Sequence, residues 1–254
     1  YKKMKSLIVG KNSFLSKNLN IKNSIKISHQ DIEDLNLNEF DRLILISFPP
    51  EYKEKKENEF FFEKKLLDKF TGKKIVYFST QKVYPYTLNC KEDDFLLPDS
   101  HYAENKLDIE NLIANRTKNY QIFRISSVFS DNNFSKFSFF SQLKNNWNLN
   151  NEINFDISLK SIKDFITINS LNFILDKIIY TENYNIYNVG SKYGVSIIEI
   201  LNTIFNHKLP VNIKQDKNLI KSRTLDNSKI CQLLKIDDKI IHEETNKQIS
   251  NLKL

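Results

Sequence analysis

Glycine is scarce in this chain, with four in 254 residues. A phosphate-binding turn normally draws on several glycines so that bare backbone can approach the ligand, and a fully glycine-lined loop is therefore excluded. Cysteine is scarcer still. Cys90 and Cys231 lie far apart, with no second cysteine at a metal or redox spacing, so they are expected to be free thiols, and no metal site is expected. No run approaches the roughly 20 apolar residues of a membrane span, and no signal-peptide pattern stands at the start, so the expected compartment is the cytoplasm. Repeats and long low-complexity linkers are missing as well. So is any concentrated basic stripe: the net charge is +7 and the pI about 9.1, but the lysines are interleaved with acids. This reads as a solvated surface that attracts anionic small molecules as a secondary effect, and it places a nucleic-acid-binding module a distant third among functions.

What is present is a globular composition, 40% apolar and rich in Phe and Tyr, long enough to bury a substantial core. Short apolar runs alternate with helical patterns. Ser6 to Val9 reads as a buried strand leading into a helix from Phe14 to Leu19, and "DRLILIS" (41–47) is a second strand. "NEFFFEKKLLDKF" (58–70) sets Phe61, Phe62, Lys65, Leu66 and Lys69 at helical spacings, as an apolar stripe beside a basic one. "IVYFST" (75–80) has the β-branched and aromatic character of a buried strand. A helix is expected over 102–114, then the strand "YQIFRISSVF", a strand edge passing into a helix over 165–179, the strand "YNIYNVG" and the helix "SIIEILNTIF". Strands and helices alternating with short connections imply βαβ units and a parallel sheet covered on both faces. Ligands in such sheets sit outside the carboxyl ends of the strands, here at Val9, Ser47, Thr80 and Ser127.

Two segments carry chemistry, "FSTQKVY" and "HYAENKLDIE". Tyr102 and Lys106 are four apart and share one helix face. A tyrosine, with an ordinary pKa of about 10, is a poor base near pH 7. A neighbouring ammonium favours its phenolate and makes it a usable acid or base. Thr80, closing its strand, can hold the substrate oxygen whose proton moves. The spacing recurs at Tyr1 with Lys5 and Tyr52 with Lys56, where an exposed pair is the plain reading. Around Tyr102, the upstream strand ending in Ser-Thr and the helix running past Lys106 supply the context the others lack.

With these pieces in order, the chain resembles the extended short-chain dehydrogenase/reductases, specifically the NAD(P)-dependent nucleotide-sugar epimerase, dehydratase and ketoreductase group. The resemblance runs through "SLIVGKNSFLSKNL", "DRLILIS", "IVYFSTQKVYP", "YAENK", "FRISSVFS", "KDFITINSLNFIL", "IYNVGSKYGVSIIEI" and "RTLDNSKICQLL". It implies an α/β fold, a Rossmann-like doubly wound parallel sheet with a small C-terminal substrate-binding lobe. The NAD(P)-binding domain would comprise 1–128 and 158–190, and the lobe 129–157 and 191–254. It implies Thr80 as the substrate-orienting hydroxyl, Tyr102 as catalytic acid or base, and Lys106 as the residue that holds the nicotinamide ribose and depresses the tyrosine pKa. Gly10, Asn12, Ser13, Phe14 and Leu15 would line the pyrophosphate turn, and Ser47 would border the cofactor ribose. A homodimer through the helices preceding and containing Tyr102 is expected on the same ground.

Departures from the family pattern sharpen the reading. Its 4,6-dehydratases place Asp-Glu after the catalytic threonine, and here the pair is Gln81-Lys82, which cannot supply the acid and base for loss of water. Reduction of a 4-keto sugar, or epimerisation by hydride removal and return, is left, in surface-polysaccharide synthesis. Lys136, Lys160, Lys163 and Arg223 are candidates for the substrate diphosphate, although single cations are mostly surface residues. Ser28 and His29 occupy the end of the second strand, where an acid favours NAD and a base the 2′-phosphate of NADP. His29 favours NADP, while Asp31 close by keeps NAD open. Of the three turn glycines only Gly10 is kept, with Ser13 and Ser16 in the other places. A serine at 13 fails if the turn demands a positive φ there. The rival reading is a catalytically idle member of this fold that binds a nucleotide or a protein partner.

Overall fold

The computed structural model describes residues 4–32, 35–46, 49–130, 135, 138–150, 152–209, 213–215 and 218–252. Two compact units emerge. The first comprises Tyr1–Pro85, Phe95–Ile125 and Asn172–Tyr187, the second Tyr86–Asp94, Ser126–Leu171 and Asn188–Leu254.

The chain begins with β1 (Ser6–Val9), α1 (Phe14–Asn18), β2 (Ser24–Ile27), β3 (Arg42–Leu45), α2 (Phe61–Lys69), β4 (Lys74–Thr80), α3 (His101–Arg116) and β5 (Tyr120–Ile125). It continues with β6 (Ser127–Phe129), α4 (Phe139–Asn150), β7 (Ile153–Phe155), β8 (Ile162–Lys163), β9 (Phe165–Thr167) and α5 (Ile168–Ile178). The remainder is β10 (Asn185–Val189), β11 (Val195–Ser196), α6 (Ile197–Ile204), β12 (Ile213–Gln215), α7 (Ser228–Leu234) and α8 (Asp238–Ser250).

Six strands form one sheet in the order β10-β5-β4-β3-β1-β2, and the pairs from β2 through β5 are parallel. The expected α/β fold is therefore present. β1, β3 and β4 are buried along their whole length, which is why they read as unbroken apolar runs without alternation. After β2 the chain crosses back to place β3 on the other side of β1, so the strand order reverses between β1 and β3, the place where such sheets bind ligands. The core of this unit packs Leu7, Val9, Leu43, Leu45, Ile75 and Tyr77 of the sheet against Leu66, Leu67, Ile109 and Ile113 of α2 and α3.

α2 departs from the expected stripe. Phe61 is 69% exposed, whereas Leu67 and the acid Glu63 are buried. Glu63 is accommodated because the Tyr52 hydroxyl donates to its Oε2 at 3.2 Å, and a hydrogen bond offsets the cost of burying a polar group.

In the second unit, β6 pairs with β9 in parallel and β7 with β12, around a core of Phe129, Phe140, Phe155, Phe165, Ile197 and Leu201. Asp164, fully buried, ties its segments together by accepting from the Ser191 amide at 2.8 Å, the Ser191 hydroxyl at 2.9 Å and the Leu225 amide at 2.9 Å. Gly190 is required beside it, since a Cβ there would stand 2.5 Å from the carboxylate. Burial outweighs these hydrogen bonds and pushes the Asp164 carboxyl up to about 6. Cys90 and Cys231 are buried free thiols.

Candidate active site

β4 carries Thr80 to its carboxyl end. There Thr80 leaves the sheet in extended conformation, and its Oγ1 accepts from the Lys82 amide at 3.3 Å, capping the short 3-10 turn Gln81–Val83. Tyr102 is the second residue of α3, and the Thr80 hydroxyl stands near enough to draw its phenol pKa down. The structure thus brings together at one strand end two groups that stand twenty-two positions apart in sequence.

Lys106 lies one helical turn further and is 3% exposed. Its ammonium donates to the Phe78 carbonyl of β4 at 2.7 Å and stands 4.7 Å from the Tyr77 ring centroid. The electrostatics run opposite to the sequence-based expectation of a depressed tyrosine. Burial pushes the Tyr102 phenol up to about 12, against the opposing pull of the Thr80 hydroxyl. Burial also pushes the Lys106 ammonium down to about 7, against the carboxylates of Glu63 and Glu110. Desolvation penalises the charged form of each group, and here it exceeds the pull of opposite charge. Tyr102 therefore carries its proton at neutral pH.

At the end of β1, Gly10 has φ +122°, a conformation side chains avoid, so the one retained glycine stands where the turn requires it. Ser13 has φ −68° and ψ 151°, ordinary extended backbone that serine adopts freely. Its hydroxyl accepts from the Ser16 amide at 3.1 Å as the cap of α1 and retains its own proton to donate. The amides of Gly10 and Lys11 both go to the Ile27 carbonyl at 2.9 Å, and that of Ser13 goes to the Gly10 carbonyl at 3.0 Å. Among the described residues, the amides of Asn12, Phe14 and Leu15 have no acceptor. Ser16, at the third glycine position, is fully buried, and its hydroxyl has no partner among the described residues.

β2 ends at Ile27, which places Ser28 directly after the strand as expected. Ser28 caps a 3-10 turn over His29–Asp31 in a reciprocal arrangement: its hydroxyl accepts from the Gln30 amide, and its own amide donates to the Asp31 carboxylate at 3.2 Å. The His29 ring meets Phe62 edge-on at 6.0 Å. Ser47 lies outside the described residues, as does Lys136. Of the other cations assigned to the substrate diphosphate, Lys160 is exposed and Lys163 donates to the Lys221 carbonyl at 3.4 Å. Arg223 is 6% exposed, with its guanidinium 4.3 Å from the Tyr86 ring centroid, so it is not a surface cation.

Sequence reasoning missed the polar network behind β4. Arg124 of β5 grips Glu110 of α3 through Nε–Oε2 at 3.1 Å and a terminal nitrogen to Oε2 at 2.8 Å, and donates to the Tyr84 hydroxyl at 2.8 Å. The Ser79 hydroxyl donates to Oε1 of the same carboxylate. Asn105, fully buried beside Lys106 in sequence, was also missed. It donates to the Tyr52 and Lys55 carbonyls at 2.8 and 2.9 Å and accepts from the Glu57 amide at 2.8 Å, clamping the segment 52–57 to α3.

Residues 68–153 match the family described as RmlD substrate binding domain. Comparison with the sequences of curated proteins gave no match. Among solved structures, a UDP-glucuronic acid 4-epimerase from Bacillus cereus in complex with UDP-glucuronic acid and NAD aligns with a TM-score of 0.75. The two chains are 18% identical, over 97% of this chain and 99% of that one. A dTDP-4-dehydrorhamnose reductase from Bacillus anthracis in complex with NADP gives 0.75 at 16% identity, covering 96% and 99%. A dTDP-glucose 4,6-dehydratase of the same organism, in complex with NAD, gives 0.75 at 14%, covering 98% and 99%. With its parallel central sheet and these alignments, the chain has the α/β fold of these nucleotide-sugar enzymes, and its residues 68–153 are similar to the RmlD substrate binding domain family.

Proposed function

We propose that the protein is a nicotinamide-dependent oxidoreductase or epimerase acting on a nucleotide-linked 4-keto sugar, with Thr80, Tyr102 and Lys106 assisting hydride transfer. The observation that carries this reading is the meeting of Thr80, at the carboxyl end of β4, with Tyr102 at the start of α3, and Lys106 one turn on.

The turn after β1 fits a dinucleotide pyrophosphate. Gly10 supplies the positive φ, and the amides of Asn12, Phe14 and Leu15 with the Ser13 hydroxyl are donors facing no acceptor of their own among the described residues. Ser28 and His29 would lie toward the cofactor ribose, and His29 beside the strand end favours NADP. A bound nicotinamide supplies the hydride or accepts it. The chain's own part is the proton. Thr80 orients the substrate oxygen, and Tyr102, protonated at neutral pH, gives its proton to that oxygen as the carbonyl carbon is reduced. The resulting phenolate gains from the Lys106 charge on the same helix face. A tyrosine held protonated suits the reductive direction, which supports ketoreductase over epimerase. Gln81 and Lys82 in the positions that hold acids in dehydratases support the same choice. Arg223 and Lys163 would meet the substrate diphosphate, with Lys160 as an outlying cation.

The finer reading is a homodimeric cytoplasmic enzyme of surface-polysaccharide synthesis. No helix among the described residues is long and apolar enough to cross a membrane. Nicotinamide fluorescence with NADH and NADPH tests the core of the proposal: binding of either supports it, and binding of neither overturns it in favour of an idle member of the fold.

A further inference from the structure

Directly after Thr80 stand two side chains that the proton-transfer chemistry does not use. The Gln81 Oε1 atom is buried and has no hydrogen-bond partner among the described residues. Such an atom loses its water without return unless a donor reaches it. Lys82 is exposed, and its Nζ stands 5.8 Å from the centroid of the Tyr102 ring, the ring whose hydroxyl stands near Thr80. Its amide is fixed by the Thr80 Oγ1, so the base of the side chain is anchored to the catalytic threonine. Among the described residues no carboxylate lies within ion-pairing distance of this ammonium. The strip beside the proton-transfer pair therefore presents a cation that calls for an anion, while the Gln81 oxygen next to it in sequence is buried without a donor among the described residues.

A pyranose with its C4 oxygen at the Thr80–Tyr102 pair places a ring hydroxyl on one side of that carbon and the exocyclic C6 group on the other. A neutral hydroxymethyl or methyl group leaves the cation unmatched. The diphosphate cannot serve, because it is attached at the anomeric carbon across the ring from C4. Resting on the nucleotide-sugar reading above, we propose that Lys82 makes this site selective for a nucleotide sugar bearing a carboxylate at C6, a nucleotide uronate or its 4-keto form. Lys82 pairs with that carboxylate.

The test is isothermal titration of the NAD-loaded protein with glucuronic acid and glucose, each as its uridine and thymidine diphosphate, for the native chain, Lys82→Gln and Lys82→Glu. The native protein is expected to prefer the glucuronate by about tenfold, the size of one charge-assisted hydrogen bond. Lys82→Gln should erase the preference and Lys82→Glu reverse it, with NAD affinity unchanged in both. The decisive readout is the ratio of the two affinities, because the diphosphate charge is common to both ligands. An unchanged ratio, or an equal loss for both sugars, overturns the proposal and leaves the nucleotide-sugar reading standing. Uptake of NAD with no sugar nucleotide bound overturns both.

Discussion

Removing Glu110 tests the account of what holds α3 to the sheet. Glu110 and Arg124 are 2% and 3% exposed, and Glu110→Ala deletes the contacts from Arg124 at 3.1 and 2.8 Å together with the Ser79 hydrogen bond. The guanidinium keeps the Tyr84 hydroxyl at 2.8 Å but loses its counter-charge in a site that water does not reach. Breaking one side of a buried pair costs about 3–5 kcal/mol. At about 2–4 °C per kcal/mol for a chain of this size, the thermal midpoint should fall by about 6–20 °C. Calorimetry read together with near-ultraviolet circular dichroism supplies the measurement, and coincidence of the two traces justifies a single midpoint for a chain with two units. Replacing both partners by apolar residues, Glu110→Leu with Arg124→Met, should lose less than the sum of the two single losses, because no charge is left stranded. As a control, Glu39→Gln breaks the exposed pair with Lys5 and should barely move the midpoint. A Glu110→Ala loss below about 1 kcal/mol, or additive single and double losses, would refute the reasoning.

Three further outcomes are expected. Gly10→Ala forces a side chain into φ +122° and should weaken nicotinamide cofactor binding at least tenfold, in line with about 1–3 kcal/mol of backbone strain. Ser13→Gly should change it by less than about threefold because φ is −68° there, and a tenfold gain on that change would show that the serine obstructs the turn. The pH dependence follows from Lys106, whose ammonium is pushed down to about 7. A catalytic role for the charge predicts reductive kcat/KM falling as pH rises past about 7, with no second limb from Tyr102 until near 12. Because the folded pKa of Lys106 lies below its unfolded value of about 10.5, its contribution to stability is complete above the unfolded value and is lost as pH falls through about 7. Urea midpoints should therefore rise with pH across that window, and Lys106→Met should flatten the rise. Tyr102→Phe should leave cofactor affinity nearly intact while turnover of a nucleotide 4-keto sugar falls by about 10²-fold or more, as the loss of one positioned acid predicts.

Much of the architecture was legible because β1, β3 and β4 are buried on both faces and so appear as continuous apolar runs, while α3 continues its pattern beyond Lys106. Tyr102 and Thr80 could be paired because strand end and helix start are local signals. Glu110 could not be found this way. Four residues after Lys106 it has the look of a solvated acid, and only the arrival of Arg124 from the neighbouring strand reveals it as a buried ion pair. Glu63 escaped for the same reason, its partner Tyr52 coming from a separate loop. The direction of the Tyr102 shift was misjudged because spacing reports the nearest charge but says nothing about desolvation, which is the larger effect here. The glycine-poor turn was ambiguous as sequence, since serine and glycine at position 13 differ only in the backbone angles they tolerate, and those angles exist only in the folded chain.

The central claim, that Tyr102 moves a proton while hydride passes between a nicotinamide and a nucleotide sugar, is tested most directly by isotope transfer. The protein is incubated with NADH or NADPH deuterated at C4 of the nicotinamide and with nucleotide 4-keto sugars, and the products are read by mass spectrometry and NMR. The account predicts one deuterium at C4 of the product sugar with the native protein, and a rate reduced by about 10²-fold or more with Tyr102→Phe. Deuterium absent from the sugar with both cofactors, or transferred at the native rate by Tyr102→Phe, would contradict it.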